Sequence, residues 1–182
     1  MNGGTVATSN AEGTVIDCNG DFGDTQINGG TIKGGKDGIR LKDLGSSGVT
    51  LKQATFEDNT QSNIHLGAGQ KINIKKTFTG TAKILTDDPS LGRQITLENE
   101  DLSYQNKLKL VSVDPRYIIG YKRGDDGVEY RYLADANGKI VTAENAKATA
   151  NIGAGEQELD TTTVVPENTL VTVTANLPEG AE

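Results

Sequence analysis

Apolar and polar residues alternate with period two in short runs through the first 88 positions, and none of these runs has helical spacing. The runs also repeat. Met1-Asn2-Gly3-Gly4-Thr5-Val6 recurs as Ile27-Asn28-Gly29-Gly30-Thr31-Ile32. Looser copies follow, Val49-Thr50-Leu51 leading to Ala54-Thr55-Phe56 and Ile72-Asn73-Ile74 leading to Lys76-Thr77-Phe78. The threonines at 5, 31, 55 and 77 are therefore spaced by 26, 24 and 22 residues. A second strand-like run follows each time: Val15-Ile16-Asp17-Cys18, Ile39-Arg40-Leu41, Ile64-His65-Leu66 and, more weakly, Lys83-Ile84. Turn chemistry lies between them, in Gly-Lys-Asp-Gly, Gly-Ser-Ser-Gly and Gly-Ala-Gly-Gln.

Several short strands in every 22–26 residues describe the coils of a parallel β-helix, whose successive turns stack about 4.8 Å apart. Equivalent residues then form columns. The inward ones are predicted to be Met1/Ile27/Val49/Ile72, Val6/Ile32/Phe56/Phe78 and Ile16/Ile39/Ile64/Ile84, with Cys18 over Leu41 and Leu66. Outward, Thr5, Thr31, Thr55 and Thr77 form one column and Asp17, Arg40 and His65 another. Met1 takes the interior slot of Ile27, so the first coil is expected either to continue a longer solenoid or to be irregular.

Beyond Asp88 the coil period fades while β character persists. Gln94-Ile95-Thr96-Leu97 and Leu108-Lys109-Leu110-Val111 read as strands. Tyr117–Tyr121 and Val128–Leu133 read as a hairpin around Arg123-Gly124-Asp125-Asp126-Gly127. Asn137-Gly138 suits a turn with positive φ, and the five tyrosines, all between 104 and 132, are expected to cover the last coils with their hydroxyls wet. Val164 to Ala175 reads as strand, turn, strand. The predicted organisation is 1–88 parallel β-helix coils, 89–146 a β-rich closing region, and 147–182 a partial β-sandwich-like unit.

Composition narrows the function classes. Fifteen of the 23 glycines lie in the first 80 positions, which makes them coil punctuation. The net charge of −7 argues against a nucleic-acid clamp. Five of those seven charges come from residues 147–182, where six acids face one lysine. The longest apolar runs are far too short for a membrane span, and the first residues lack the basic and apolar stretches of a signal peptide. One cysteine, Cys18, allows no internal disulfide.

Residues 1–146, with their Asn-Gly-Gly-Thr-Ile coils running into a Tyr-rich β segment, resemble the right-handed parallel β-helix region of large secreted or cell-surface bacterial proteins. Residues 147–182, especially Pro166 to Glu179, are similar to the opening of immunoglobulin-like or internalin-type surface repeats. The resemblance implies an adhesive or structural role at the bacterial envelope, with a glycan or a host or matrix protein as partner. Some β-helices carry polysaccharide lyase or glycoside hydrolase sites instead, so a fragment of such an enzyme is the alternative.

The residues that could carry chemistry are few. Asp17, Arg40 and His65 could grip a sugar acid or begin proton abstraction, although a solvated charge ladder is the better account of them. Lys52 and Lys75, with Lys76, form a small basic patch that could meet an acidic glycan or lipid head group, although the acids nearby favour a solvated face. Asp17, Asn19, Asp21 and Asp24 present oxygens at calcium-loop spacing, so a structural Ca²⁺ is a candidate; the bidentate acid expected eleven residues after Asp17 is Asn28. Gly67-Ala68-Gly69 and Gly153-Ala154-Gly155 precede no helix and do not read as phosphate cradles. The acids of the coils fall mostly in turns, no face is expected to gather three of them, and no catalytic residue is assigned.

Overall fold

The computed structural model describes residues 1–21, 23–45, 48–75, 77–78, 80–97, 110–123, 128–140, 146–152, 156–159, 163–166 and 169–175. Strands β1 (Asn2–Ala7), β2 (Thr14–Asn19) and β3 (Thr25–Ile27) make one turn. β4 (Gly29–Lys33), β5 (Asp37–Lys42) and β6 (Val49–Leu51) make the next, followed by β7 (Thr55–Glu57), β8 (Ser62–Leu66) and β9 (Asn73–Ile74). Each strand pairs in parallel with its counterpart one turn later, giving sheets of order β1-β4-β7 and β3-β6-β9. The third sheet gains β10 (Ala82–Thr86) and β11 (Leu110–Ser112), so five rungs run β2, β5, β8, β10, β11. The described residues are all β and contain no helix; the fold is a parallel β-solenoid of about four turns.

Side-chain alternation accounts for the core. Ile16, Ile39, Ile64 and Ile84 occupy successive rungs, as do Cys18, Leu41 and Leu66, and their strand neighbours turn outward. Ile39, Leu41, Ile64 and Leu66 are fully buried. Burial stabilises the fold by about 1.5–3 kcal/mol for each such side chain.

One column departs from the sequence reading. Ile27 lies opposite Leu51 and Leu51 opposite Ile74, while Val49 lies opposite Thr25. The displacement is two residues, which keeps every side chain on its side of the sheet. The outer rung is also less covered than its repeats: Val6 is exposed, whereas Ile32 below it is fully buried. The turns between sheets need glycine where coils approach closely. Gly34 has φ +84°, and a Cβ there would sit 2.4 Å from Thr8 O of the preceding turn.

Beyond the coils, β12 (Tyr117–Arg123) and β13 (Glu129–Asp135) form the expected antiparallel hairpin. β13 lies along residues 92–96, through hydrogen bonds from Gly92 N to Leu133 O, from Leu133 N to Arg93 O and from Ile95 N to Arg131 O. Thr96 in turn bridges Ile72 in parallel, so this segment joins hairpin to solenoid. Arg131 is fully buried with its guanidinium 4.5 Å from the Tyr121 ring centre.

β14 (Lys139–Ile140) pairs with β17 (Val164–Val165), and β15 (Ala146–Asn151) lies between β16 (Glu156–Glu158) and β18 (Val171–Ala175), all antiparallel. Two local expectations change. The Tyr132 hydroxyl is not wet; it is buried and accepts a long hydrogen bond from Val164 N, because β17 packs over it. Asn137 and Gly138 lie in a turn but keep negative φ, since that turn feeds a different sheet and needs no hairpin twist.

Candidate functional site

The outward row of the five-stranded sheet carries the charged groups. β2 supplies Asp17, β5 Arg40 and β8 His65 on successive rungs, and Leu85 of β10 takes the fourth place. Asp17 and Arg40 form a two-pronged pair, Nε donating to Oδ1 at 3.0 Å and Nη2 to Oδ2 at 2.5 Å. His65 turns away from them. Its Nδ1 lies 3.0 Å from Asp37 Oδ2 and its Nε2 2.8 Å from Asp87 Oδ1. Asp37 begins β5 opposite Ser62, whose hydroxyl donates to Asp37 Oδ1 at 2.6 Å. Asp87 follows directly on β10, where its N–H donates to Leu66 O.

Two carboxylates on the two ring nitrogens need two N–H donors, which only the imidazolium supplies. The electrostatics agree. Burial works to lower the His65 pKa, but hydrogen bonds to Asp87 and Asp37, with their charges, raise it overall. The Arg40 guanidinium is raised first by its hydrogen bond to Asp17, against a burial effect, and further by the charges of Asp17, Asp37 and Asp87. The charges of three carboxylates thus favour the Arg40 cation, and Asp17 alone is bonded to it. An imidazolium held at both nitrogens has no lone pair to accept a proton, and Asp17 already takes two bonds from Arg40. Chemically the cluster is a fixed strip of paired charge.

Asp37 and Asp87 are the members of this cluster that the sequence reading missed. Alternation assigns Asp37 to the inward set with Ile39 and Leu41, a place where a carboxylate is not expected. It is tolerated there because Ser62 and His65 both bind it.

The other candidates lie apart. Lys52 and Lys75 follow β6 and β9 on a different sheet; Lys52 Nζ donates to Gln26 Oε1 at 3.3 Å, and Lys75 N–H donates to Leu51 O. Lys76 is outside the described residues. Thr5, Thr31 and Thr55 stack in register, whereas Thr77 lies in a turn and donates to Lys52 O. Of the calcium candidates, Asp17 is committed to Arg40, Asn19 is exposed at the end of β2, and Asp21 and Asp24 lie near Gly45 and Gly48. Among the described residues no group of three or more His, Cys, Asp or Glu side chains could hold a metal ion.

Gly69 N donates to Asp88 Oδ2 at 3.0 Å, so a carboxylate of the chain itself occupies that Gly-x-Gly turn. Gly153 to Gly155 lie outside the described residues. A cavity of about 80 Å³ between the hairpin and β16 is lined by Gly92, Lys122, Tyr130, Tyr132, Ile152 and Gln157. Small-molecule sites usually enclose ~300–1,000 Å³, so it is far smaller than such a site.

The class that these observations define is the parallel β-solenoid, with a paired-charge strip on its longest sheet. No family model, curated protein or solved structure matches the chain.

Proposed function

We propose that the chain is a non-catalytic structural and adhesive β-solenoid, secreted or displayed on a bacterial surface, which binds a glycan or a protein on its outer sheet. The observation that carries this reading is the Asp17–Arg40 and Asp37–His65–Asp87 pairing, which holds the outward charges rigid and leaves neither Asp17 nor His65 disposed as a general base. A long sheet face with fixed charges suits recognition by many weak contacts along an extended partner. The secreted or surface setting, and the likeness of residues 147–182 to an immunoglobulin-like repeat, are supported by the sequence resemblance.

A second reading, a fragment of a β-helix polysaccharide lyase or glycoside hydrolase, draws on the charges of Asp17, Asp37 and Asp87, all of which favour the Arg40 cation. One experiment separates the two. The chain is incubated with acidic polysaccharides and Ca²⁺ while ultraviolet absorbance follows unsaturated product, a reducing-end assay follows hydrolysis, and affinity electrophoresis follows binding. Retarded migration without turnover is expected, weakened by the double substitution Asp17→Asn, Arg40→Gln. Turnover abolished by Arg40→Ala or Asp17→Ala would overturn the scaffold reading.

A further inference from the structure

We propose that His65 is a proton-operated latch that fastens the fourth solenoid turn to the turns before it. The placement carries the argument. His65 lies on β8, between β5 and β10, and bridges a carboxylate from each side: Asp37 at the start of β5 and Asp87 just after β10. One imidazolium therefore ties together segments that are 50 residues apart in sequence.

The groups around the ring are few. From β5 come Asp37 and Arg40, the latter His65's ladder partner and already bound to Asp17 of β2. From β10 the ladder partner is apolar Leu85, and Lys83, two residues earlier, lies opposite Asn63 and donates its backbone N–H to the Asn63 side chain. Ser62, on His65's own strand, binds Asp37 rather than the ring. Nothing but Asp37 and Asp87 contacts the two nitrogens among the described residues.

Deprotonation removes one N–H and turns a lone pair toward a carboxylate, an arrangement that repels. The two carboxylates do not share the loss equally. The Asp37 side chain is 6% exposed and would be left desolvated, whereas that of Asp87 is 52% exposed and can take water instead. Neutral His65 therefore keeps its proton toward Asp37 and releases Asp87. The contacts that follow in sequence, Asp87 N to Leu66 O and Gly69 N to Asp88 Oδ2, extend the β8–β10 ladder past its last pair, Thr86 with Leu66.

The sign of the pH dependence follows from the raised His65 pKa. A group raised on folding contributes stability that is complete below its unfolded value, about 6.5, and is lost as pH rises through the folded value. The latch is closed in mild acid and loosens toward alkaline pH.

His65 is the sole histidine, so its ring proton signals in a magnetic resonance titration need no assignment by mutagenesis. The expected midpoint lies above 6.5. The Leu85 and Thr86 amide shifts should follow it, and those of Ile16 on β2 should not. In Asp87→Asn the midpoint should move down toward 6.5 and the coupled shifts on β10 should shrink. The melting temperature of the unsubstituted chain should fall toward alkaline pH, and His65→Gln should lose that fall. Should that variant fail to fold, the Asp87→Asn titration decides alone, because this exposed site tolerates an amide. A midpoint at or below 6.5, or a midpoint unmoved by Asp87→Asn, overturns the latch.

Discussion

The side chain of Asn59 reaches back one solenoid turn and donates from Nδ2 to Ile32 O at 3.2 Å, while its Oδ1 accepts a longer hydrogen bond from Gly35 N at 3.4 Å. Asn59 is buried, and it meets the backbone where the chain turns from β4 into β5, at Gly35 beyond the end of the strand. Asn59→Ala removes both bonds and leaves the buried Gly35 N–H without its acceptor, which should cost about 1–3 kcal/mol in urea unfolding. Asn59→Asp keeps the acceptor for Gly35 but turns a carboxylate toward Ile32 O, and should cost at least as much. A loss below about 0.5 kcal/mol in Asn59→Ala would mean that water replaces the amide there.

The Asp17–Arg40 pair has better geometry than the Asn59 contacts but is expected to contribute less. Its side chains are 42% and 37% exposed, and solvent screens such pairs to about 0.2–1 kcal/mol. A double-mutant cycle with Asp17→Asn and Arg40→Gln should return a coupling in that range at low salt. Near 1 M NaCl it should vanish, because the screening length falls to about 3 Å. A coupling that persists in high salt would mark the row as buried under some partner.

Two glycines separate backbone strain from steric conflict. Gly34 and Gly69 both have positive φ, +84° and +71°. A Cβ on Gly69 meets nothing within 4 Å, while one on Gly34 meets Thr8 O at 2.4 Å. Gly69→Ala should therefore cost about 1–2 kcal/mol, from the left-handed conformation alone. Gly34→Ala should cost clearly more and should loosen the first turn, which thermal denaturation and amide exchange on β1 would register. Equal losses at the two sites would show that the coil spacing yields to a methyl group.

The coil interior was legible because two regularities coincide in it. Period two fixes which side chains go in, and the coil repeat fixes which of them stack, so Ile16/Ile39/Ile64/Ile84 follows from sequence. The pairing of Ile27 with Leu51 was hidden because a two-residue slip preserves both the alternation and the apolar character of the column. The site was legible by half. The row of Asp17, Arg40 and His65 follows from the same register, but the partners of His65 do not. Asp37 has inward parity, and Asp87 lies past the end of its strand, where stacking rules no longer place a side chain. Such diagonal contacts depend on rotamers and desolvation, which no one-dimensional period encodes. The hydroxyl of Tyr132 was misread for a similar reason, because it is covered by a strand more than thirty residues later.

The clasp around Gly67–Gln70 gives the last prediction, on the acid side of the pH scale. Arg93 is nearly buried, and it donates to Asp88 Oδ1 at 2.8 Å, Gln70 O at 2.7 Å and Gln94 O. Asp88 also accepts from Gly69 N, so acid and base grip the same turn from two points. Burial pushes the Asp88 pKa upward, but the hydrogen bonds from Arg93 and Gly69 N and the charge of Arg93 hold it below the usual carboxylate value. A group lowered on folding contributes stability that is present above its unfolded pKa and is lost as pH falls through the folded one. The clasp should therefore be intact at neutral pH and weaken only below about pH 4. Asp88→Asn should flatten part of the acid limb of the stability curve, at about 1 kcal/mol or less because Asp88 is itself 38% exposed. Arg93→Met should cost more than Asp88→Asn at every pH, since it removes the donor from the Gln70 and Gln94 carbonyls as well as from Asp88. Urea unfolding of both variants between pH 2.5 and 7 checks the order; the reverse order would show that Asp88, rather than Arg93, organises the turn.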